Sequence, residues 1–215
     1  MKGVRGFPSG LYAICDDAVR PDLTLQEKAG RLLEGGVRVM QLRIKRTAAA
    51  PALAAAREVA QLCRRADAIC IIDDRVDYAL MSDADGVHLG DDDLPPSEVR
   101  RLLGPDKIMG LTVRNLEMAT AARDAGADYL GVGPVFASTT KPIHVKPLGI
   151  EGLRAIASGT VLPVVAISGI NLSNIGRVAG AGARGAAVIA DLLEAPDVPA
   201  RARALASEFA LGRGR

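Results

Sequence analysis

Two groups of aspartates are the residues whose type and spacing most directly indicate chemistry. Asp73 and Asp74 end one short apolar segment, and Asp91, Asp92 and Asp93 follow the next such segment. If the two segments are neighbouring parallel strands, both groups lie at one edge of a sheet, where crowded carboxylates repel unless a cation joins them. Mg²⁺ prefers oxygen ligands and usually binds together with a substrate phosphate. The paired groups therefore predict a magnesium site, although the second group alone would suit a solvated turn before a helix.

Three polar residues at alternate positions form a second candidate group. Gln41, Arg43 and Lys45 fall on one side of a predicted strand and its end, because side chains alternate along a strand. A guanidinium and an ammonium group on one face suit a pyrophosphate. The alternative is a plain strand end with two solvated bases. Gln41 favours the functional interpretation because it interrupts an otherwise apolar strand.

Hydroxyl groups near two later strands could contact an anion. Thr112 follows the fifth predicted strand, and a run from Ser138 to Lys141, which includes Thr140, follows the sixth. Three hydroxyls and a cation in a row are compatible with a loop that closes on an anion. They are equally compatible with an ordinary polar loop.

Two further loops could bind phosphate through their backbone. Gly169 lies in the loop after the seventh predicted strand, and Ile189 and Ala190 follow the eighth. Backbone N–H groups at helix starts hold phosphate without a charged side chain, and these two loops are the usual phosphate site of (β/α)8 barrels. No Ser–His–Asp or Cys–His arrangement can be recognised. The pattern therefore favours a reaction that mainly needs a stabilised leaving group.

His88 and the three cysteines have structural interpretations. A single histidine inside a strand is more often a hydrogen-bonded core residue, so we expect that role for His88, with contact to a substrate as the alternative. Cys15, Cys63 and Cys70 show no metal or redox spacing, and we expect Cys15 and Cys70 to be small buried side chains. This cysteine usage makes a reducing cytoplasm the expected location.

Short apolar segments alternate with longer amphipathic ones along the chain. The predicted strands are residues 11–15, 37–42, 68–72, 86–89, 107–111, 129–133, 163–167 and 185–189. The predicted helices are residues 25–34, 51–65, 75–82, 95–103, 116–125, 150–157, 172–179 and 198–211. Such alternation requires a parallel sheet, and eight units predict an α/β protein with a single (β/α)8 TIM barrel domain over residues 1–215. A doubly wound open sheet is the alternative, but its glycine-rich dinucleotide motif is missing after the first strand.

Composition excludes several functional classes. The net charge is +2, aromatic residues make up 3% of the chain and tryptophan is absent, which leaves little for binding or stacking on nucleic acid. No apolar run approaches the ~20 residues that a membrane helix needs, and no secretory signal core follows the short basic start. We therefore expect small-molecule partners, no nucleic acid and no membrane. The sequence leaves the oligomeric state open, with a homodimer as one option.

The ordered set of motifs resembles the thiamine-phosphate synthase family, also called thiamine-phosphate pyrophosphorylase. The matching segments run through nearly the whole chain and are QLRIK (41–45), IDDR (72–75), DGVHLG (85–90) with Asp93, DYLGVGP (128–134), Thr140 with Lys141, and ISGI (167–170). The resemblance implies a (β/α)8 barrel and a Mg²⁺-dependent transferase. Such an enzyme joins hydroxymethylpyrimidine pyrophosphate to hydroxyethylthiazole phosphate and releases pyrophosphate. The family mechanism is dissociative: pyrophosphate leaves, and the thiazole nitrogen captures the resulting pyrimidine-methyl cation.

The resemblance also implies a role for each candidate residue. Gln41 would contact the pyrimidine, and Asp74 and Asp93 would bind Mg²⁺. The residues that would hold the pyrophosphate are Arg43, Lys45, Thr112 and Lys141, of which the three cations form the catalytic set. The residues that would bind the thiazole phosphate are Ser138, Thr140, Gly169, Ile189 and Ala190. Additional substrate-binding candidates are Asp73 and His88.

Five positions depart from the residues usual in the family. They are Asp73 for Asn, Asp91 for Gln, Thr112 for Ser, Ser138 for Thr and Ala190 for Ser. Two alternative functions therefore stay open, a thiazole tautomerase and a non-catalytic phosphate-binding barrel. Tautomerases tend to lose the pyrimidine and pyrophosphate residues and use a histidine just after the fifth strand, near the position of Arg114. The retained residues favour the synthase.

Overall fold

The computed structural model describes residues 7–137 and 145–214 and shows a closed barrel of eight parallel strands. The strands are β1 (Gly10–Asp16), β2 (Val39–Arg43), β3 (Ile69–Asp73), β4 (Gly86–Leu89), β5 (Ile108–Val113), β6 (Tyr129–Val132), β7 (Val164–Ala166) and β8 (Gly185–Val188). The helices of these residues are α1 (Leu25–Glu34), α2 (Ala49–Arg65), α3 (Val76–Met81), α4 (Pro96–Leu103), α5 (Leu116–Asp124), α6 (Gly149–Gly159), α7 (Ile175–Gly180), α8 (Ala190–Leu193) and α9 (Val198–Gly212). Neighbouring strands are consecutive in sequence, and β8 pairs with β1. The predicted (β/α)8 barrel is confirmed.

Side-chain caps fix the starts of several helices. Thr24 accepts a hydrogen bond from the N–H of Glu27, while the Glu27 carboxylate accepts one from the N–H of Thr24 at 2.8 Å, so α1 begins with a capping box. Asn115 caps α5 through a 2.8 Å bond from the N–H of Met118. These caps satisfy N–H groups that have no partner within the helix. They therefore limit where each helix can begin.

Two apolar cores stabilise the barrel. The larger core lies between the strands and the helices, and it includes the fully buried Ala29, Leu32 and Cys63. A smaller core fills the barrel interior and contains Phe7, Tyr12, Ile14, Val39, Tyr129, Val165 and Ala187. The interior core also borders an open cavity at the carboxyl ends of the strands, which is lined by Tyr12, Ile14, Tyr129, Val165 and Ala187.

Two glycines make room for rings inside the barrel. Gly110 on β5 pairs with Tyr129 on β6, and a Cβ at Gly110 would overlap the Tyr129 ring. A Cβ at Gly131 would lie 2.7 Å from Cε1 of His88. The glycines therefore allow large polar rings to form the floor of the open end.

Substitution of Gly110 by alanine is expected to destabilise the barrel by about 1–3 kcal/mol, because the added methyl group overpacks the interior against Tyr129. Gly30, in α1, is a matched control with an unstrained helical backbone and no atom within 4 Å of the place that an added methyl group would take. Gly30→Ala is expected to change the free energy of unfolding by no more than about 1 kcal/mol, in the stabilising direction. Urea titration measures both; equal stability of the two variants would contradict the packing account.

The structure corrects several predicted boundaries. β5 extends to Val113, so Thr112 lies inside the strand rather than after it. The helix predicted from residue 172 begins at Ile175, because a turn precedes it. In that turn the N–H of Ser173 donates to Oδ1 of Asn171 at 2.9 Å, and the N–H of Asn171 donates to Oδ1 of Asn174 at 2.9 Å. Such side-chain bonds compete with the helix for the same backbone groups.

Two other expectations concern the interior and the surface. Cys15, Cys63 and Cys70 are buried free thiols, as expected for Cys15 and Cys70. Within the two described ranges, no helix combines the length and apolar character that a membrane span requires.

Candidate active site

An open cavity of about 910 Å³ lies at the carboxyl ends of the strands. Every predicted site residue that the structure describes lines it. These residues are Gln41, Arg43, Lys45, Asp73, Asp74, His88, Asp93, Thr112, Gly169, Ile189 and Ala190. The remaining candidates, Ser138, Thr140 and Lys141, lie outside the described residues.

The carboxyl ends of β1, β2 and β3 bring a guanidinium group between two carboxylates. Asp16 and Arg43 are register partners, and Arg43 Nη1 lies 2.5 Å from Asp16 Oδ2. Arg43 Nε also lies 3.5 Å from Asp73 Oδ2. Asp16 is completely buried, and its other carboxylate oxygen accepts a 2.6 Å hydrogen bond from the N–H of Ala18. Because Asp16 is held on both sides, it fixes the direction in which Arg43 points.

Lys45 extends the same network to the next acid. Its Nζ lies 3.0 Å from Asp73 Oδ2 and also forms an ion pair with Asp74. Asp74 has φ 60°, in the left-handed region that aspartate tolerates better than most residues, and its N–H donates to the carbonyl of His88 at 2.8 Å. This conformation turns the chain directly after β3. The Asp74 side chain thereby lines the cavity.

Asp17 holds the turn that carries Lys45. Its carboxylate accepts hydrogen bonds from the N–H groups of Lys45, Arg46 and Thr47 at 2.8–3.0 Å and from the Thr47 hydroxyl at 3.0 Å. Partial burial acts to raise the pKa of Asp17, but the hydrogen bonds outweigh that effect and lower the pKa. The charged form of Asp17 therefore orders the loop after β2.

The acids after β4 have three different environments. Asp93 Oδ2 accepts a 2.7 Å hydrogen bond from the N–H of Gly90, which folds the side chain back toward the end of the strand. Asp91 forms an ion pair with Arg114 from the loop after β5. Asp92 is exposed. The two acids that depart from the usual family residues, Asp73 and Asp91, thus each have a cation beside them.

A row of buried polar groups forms the cavity floor. Gln41 Nε2 lies 3.2 Å from the hydroxyl of Tyr12, which lies 2.8 Å from the hydroxyl of Tyr129. The Tyr129 hydroxyl lies 3.0 Å from Nδ1 of His88, and Nε2 of His88 lies 3.0 Å from the Thr112 hydroxyl. Both ring nitrogens of His88 therefore have protein partners. The row runs from β2 across the barrel to β5.

Burial controls the ionisation of this row. Desolvation raises the pKa of Tyr12 and of Tyr129 well above the usual tyrosine range. Desolvation also lowers the pKa of His88, although the charges of Asp73 and Asp93 act in the opposite direction. All three rings are therefore neutral near pH 7.

The opposite wall is built from the loops after β7 and β8. Ser168 and Gly169 have φ 77° and 67°, and a Cβ at Gly169 would overlap the carbonyl of Ala137. Ser168 Oγ donates to the carbonyl of Phe136 at 3.1 Å, and Asn174 Nδ2 donates to the carbonyl of Gly169 at 2.9 Å. The loop after β7 is therefore held in an unusual conformation at the rim. Ala190, at the other side of this wall, begins the short helix α8.

Some site residues were not recognisable in the sequence. Tyr12 and Tyr129 lie 117 positions apart and meet only inside the closed barrel. For Asp16 the sequence offered one indication, because this acid ends the strand next to the one that carries Arg43. Its contact with Arg43 nevertheless depends on the register of the two strands. For Arg114 the sequence offered no indication beyond its position after β5.

The carboxylates fit a magnesium ion. Within residues 7–137 and 145–214, no group of three or more His, Cys, Asp or Glu side chains forms a complete metal cage. Mg²⁺ does not require one, because it is commonly held by one or two carboxylates together with substrate phosphates and water. The carboxylates of Asp74 and Asp93 lie at adjacent strand ends on the same cavity.

Comparisons with known proteins identify the family of the chain. A family model described as thiamine monophosphate synthase matches residues 11–192. A thiamine-phosphate synthase from Myxococcus xanthus is 50% identical over 96% of this chain and 95% of the relative, and one from Anaeromyxobacter dehalogenans is 45% identical over 98% and 92%. A solved thiamine phosphate pyrophosphorylase from Pyrococcus furiosus has a TM-score of 0.86 at 38% identity, over 94% of this chain and 96% of that chain. The chain belongs to the thiamine monophosphate synthase family.

Proposed function

We propose that this chain is a Mg²⁺-dependent thiamine-phosphate synthase, which joins hydroxymethylpyrimidine pyrophosphate to hydroxyethylthiazole phosphate and releases pyrophosphate. The observation that carries the proposal is the convergence of Gln41, Arg43, Lys45, Asp74 and Asp93 on one cavity. Membership of the family supplies the identity of the two substrates. The geometry supports the role of the cavity as a site for a pyrophosphate beside a ring.

The proposed role of the cations is to stabilise the leaving group. As the bond to pyrophosphate breaks, negative charge grows on the departing oxygens, and Arg43 and Lys45 can meet it with N–H donors. Asp16 holds Arg43 in advance, so little reorganisation is needed when the charge develops. Lys141, outside the described residues, is proposed as the third cation.

Mg²⁺, when bound by Asp74 and Asp93, would neutralise charge on the pyrophosphate. Lys45 pairs with Asp73 and Asp74. The proposal requires Lys45 to turn from Asp74 to the substrate. Asp73, held also by Arg43, would stay as the acid that positions both cations.

The second substrate is assigned to the remaining wall. Its phosphate would be bound by the backbone at Gly169, Ile189 and Ala190, and its ring would meet Ser138 and Thr140, which lie outside the described residues. The proposed reaction needs only orientation of the thiazole nitrogen toward the reactive methylene carbon, so no side-chain nucleophile is required. This agrees with the absence of a recognisable nucleophile–base pair in the sequence.

Retention of the pyrimidine and pyrophosphate residues supports the synthase over the two alternatives. At the approximate position of the tautomerase histidine, Arg114 is engaged by Asp91. A barrel that only bound phosphate would have no need of the Asp16–Arg43–Asp73 arrangement beside Gln41. We also propose that residues 1–215 act as a single domain in the cytoplasm, without nucleic acid, with a homodimer as the candidate assembly.

The function is tested by incubating the protein with both substrates and separating the products by chromatography. We expect equal amounts of thiamine phosphate and pyrophosphate, dependent on both substrates and abolished by a chelator until Mg²⁺ is restored. Product formation that is unchanged by the chelator would contradict the metal assignment. A lack of any condensation product with a folded, Mg²⁺-loaded protein would contradict the function.

Asp16→Asn is expected to lower kcat/KM by about 10-fold or more, because the neutral amide removes the negative charge that pairs with the Arg43 guanidinium. Oδ1 of the asparagine can still accept from the N–H of Ala18, so the turn after β1 should persist. Asp22, whose carboxylate is exposed and pairs with Arg20, provides the control, and Asp22→Asn should leave the rate unchanged. Wild-type kinetics for Asp16→Asn would remove Asp16 from the account.

A further inference from the structure

The buried row on the cavity floor is continuous from Gln41 to Thr112. Its four hydrogen bonds have donor–acceptor distances of 3.2, 2.8, 3.0 and 3.0 Å. Tyr12, Tyr129 and His88 between its two ends are 3%, 1% and 8% exposed. At this burial every bond must contain one proton, because an unmade bond would leave a polar group without water.

Proton counting gives the row a single direction. The amide Nε2 of Gln41 can only donate, so the Tyr12 oxygen accepts and the proton of Tyr12 goes to Tyr129. The proton of Tyr129 then goes to Nδ1 of His88. A neutral His88 that accepts at Nδ1 has its proton on Nε2, and it donates that proton to the Thr112 hydroxyl oxygen.

We propose that His88 is a positioning residue whose Nε2–H tautomer holds the Thr112 hydroxyl as a hydrogen-bond donor to the pyrophosphate. Thr112 accepts from His88 on the floor side, so its own proton is directed to an anionic oxygen in the cavity. With the opposite tautomer, the threonine proton would be used by His88, and a lone pair would face the anion. The proposal rests on the proposed function for the identity of the anion.

The same direction determines what Gln41 offers. Because Nε2 is used toward Tyr12, the amide retains Oε1 as an acceptor for an N–H group of the pyrimidine. One row of bonds therefore sets an acceptor at its pyrimidine end and a donor at its pyrophosphate end. Recognition of the two parts of one substrate is thereby linked through the floor.

The surrounding packing supports a fixed row. The Tyr129 ring stacks with the ring of Phe7 at 4.7 Å and with the ring of His88 at 5.4 Å, measured between centroids. Gly131 leaves room for the His88 ring, since a Cβ there would lie 3.1 Å from Nε2 and 2.7 Å from Cε1. The ring therefore has little space to turn over and exchange its two nitrogens.

The tautomer is measured directly by NMR on protein labelled with ¹⁵N-histidine. The chain contains two histidines, so the His88→Gln variant assigns the His88 signals by difference. At pH 7.5 without ligands we expect a protonated Nε2 and an unprotonated Nδ1. A proton on Nδ1, or on both nitrogens, would overturn the proposal whatever the protein catalyses.

The coupling to Thr112 is measured by equilibrium binding of pyrophosphate in the presence of Mg²⁺. Thr112→Val, which removes the hydroxyl at nearly constant shape, is expected to weaken binding by about 10-fold or more. His88→Asn matches only the Nδ1 side of the ring and cannot reach Thr112, so it should weaken binding to a similar degree. In the double variant the two losses should not add, because both remove the same donated hydrogen bond.

His88→Gln provides the conservative control, because its amide nitrogen can reach the place of the ring Nε2. It is expected to bind pyrophosphate more tightly than His88→Asn, and urea titration shows whether the two are comparably folded. Additive losses, or wild-type binding by folded His88→Asn, would overturn the coupling. If the wild-type protein binds no pyrophosphate with Mg²⁺ yet shows the Nε2–H tautomer, the proposed function fails and the direction of the row stands.

Discussion

Asp74→Asn is expected to lower kcat/KM for thiamine phosphate formation by about 100-fold or more at limiting Mg²⁺. The substitution removes the negative charge of a proposed metal ligand, and even residues that only support metal ligands cost about 10–100-fold when replaced. Asparagine tolerates the left-handed backbone conformation of Asp74, at φ 60°, so the turn after β3 should be retained. The measurement is steady-state kinetics over a series of Mg²⁺ concentrations.

Asp92→Asn is the matched control for this prediction. Asp92 stands beside Asp93, lines the same cavity and loses the same charge, but it is exposed and is not a proposed metal ligand. Its variant should follow the wild-type Mg²⁺ dependence. An unchanged rate at limiting Mg²⁺ for Asp74→Asn would remove Asp74 from the metal site. Equal losses in both variants would show that the loss comes from the changed net charge of the cavity and not from a lost metal ligand.

Lys45→Met is expected to lower kcat by about 10²–10³-fold, as does the loss of one preorganised donor to a developing anion. Methionine keeps much of the length and apolar surface of lysine and removes the ammonium group. The backbone N–H of Lys45 can still donate to Asp17, so the loop after β2 should persist. Rapid-mixing or steady-state product assays give kcat and KM separately.

Arg46→Met provides the corresponding control. The adjacent Arg46 also donates its backbone N–H to Asp17, but its side chain is exposed and does not belong to the cavity-lining set. A loss confined to kcat in Lys45→Met indicates an interaction made mainly as the charge develops. A change in KM alone would show that Lys45 binds the substrate and the transition state equally, contrary to the proposed stabilisation of the leaving group.

The fold and much of the site were predictable because they follow from local periodicity. Strict alternation of strands and helices requires a parallel sheet, and parallel strands bring all their carboxyl ends to one edge. Side-chain alternation then places Gln41, Arg43 and Lys45 on the same side. In the structure these three side chains and the aspartates at the carboxyl ends of β3 and β4 line one cavity, as that argument predicts.

The remaining features depend on contacts that no local pattern encodes. Tyr12 and Tyr129 meet across the barrel only after closure, and the Asp16–Arg43 pair depends on the register of β1 with β2. The late start of α7 results from hydrogen bonds between Asn171 and its neighbours, which compete with the first turn of the predicted helix. The proposed direction of hydrogen-bond donation along the cavity floor depends on all the bonds of the row, so no single residue reveals it.

The central claim is that one pyrophosphate is held jointly by a metal ion on Asp74 and Asp93 and by the side chains of Arg43 and Lys45. A crystal structure of the protein with Mg²⁺ and pyrophosphate tests it most directly. We expect Mg²⁺ in contact with the carboxylates of Asp74 and Asp93 and with pyrophosphate oxygens, with Arg43 and Lys45 bonded to the same pyrophosphate. Pyrophosphate bound only at the loops after β7 and β8, or Mg²⁺ bound without Asp74 and Asp93, would contradict the account.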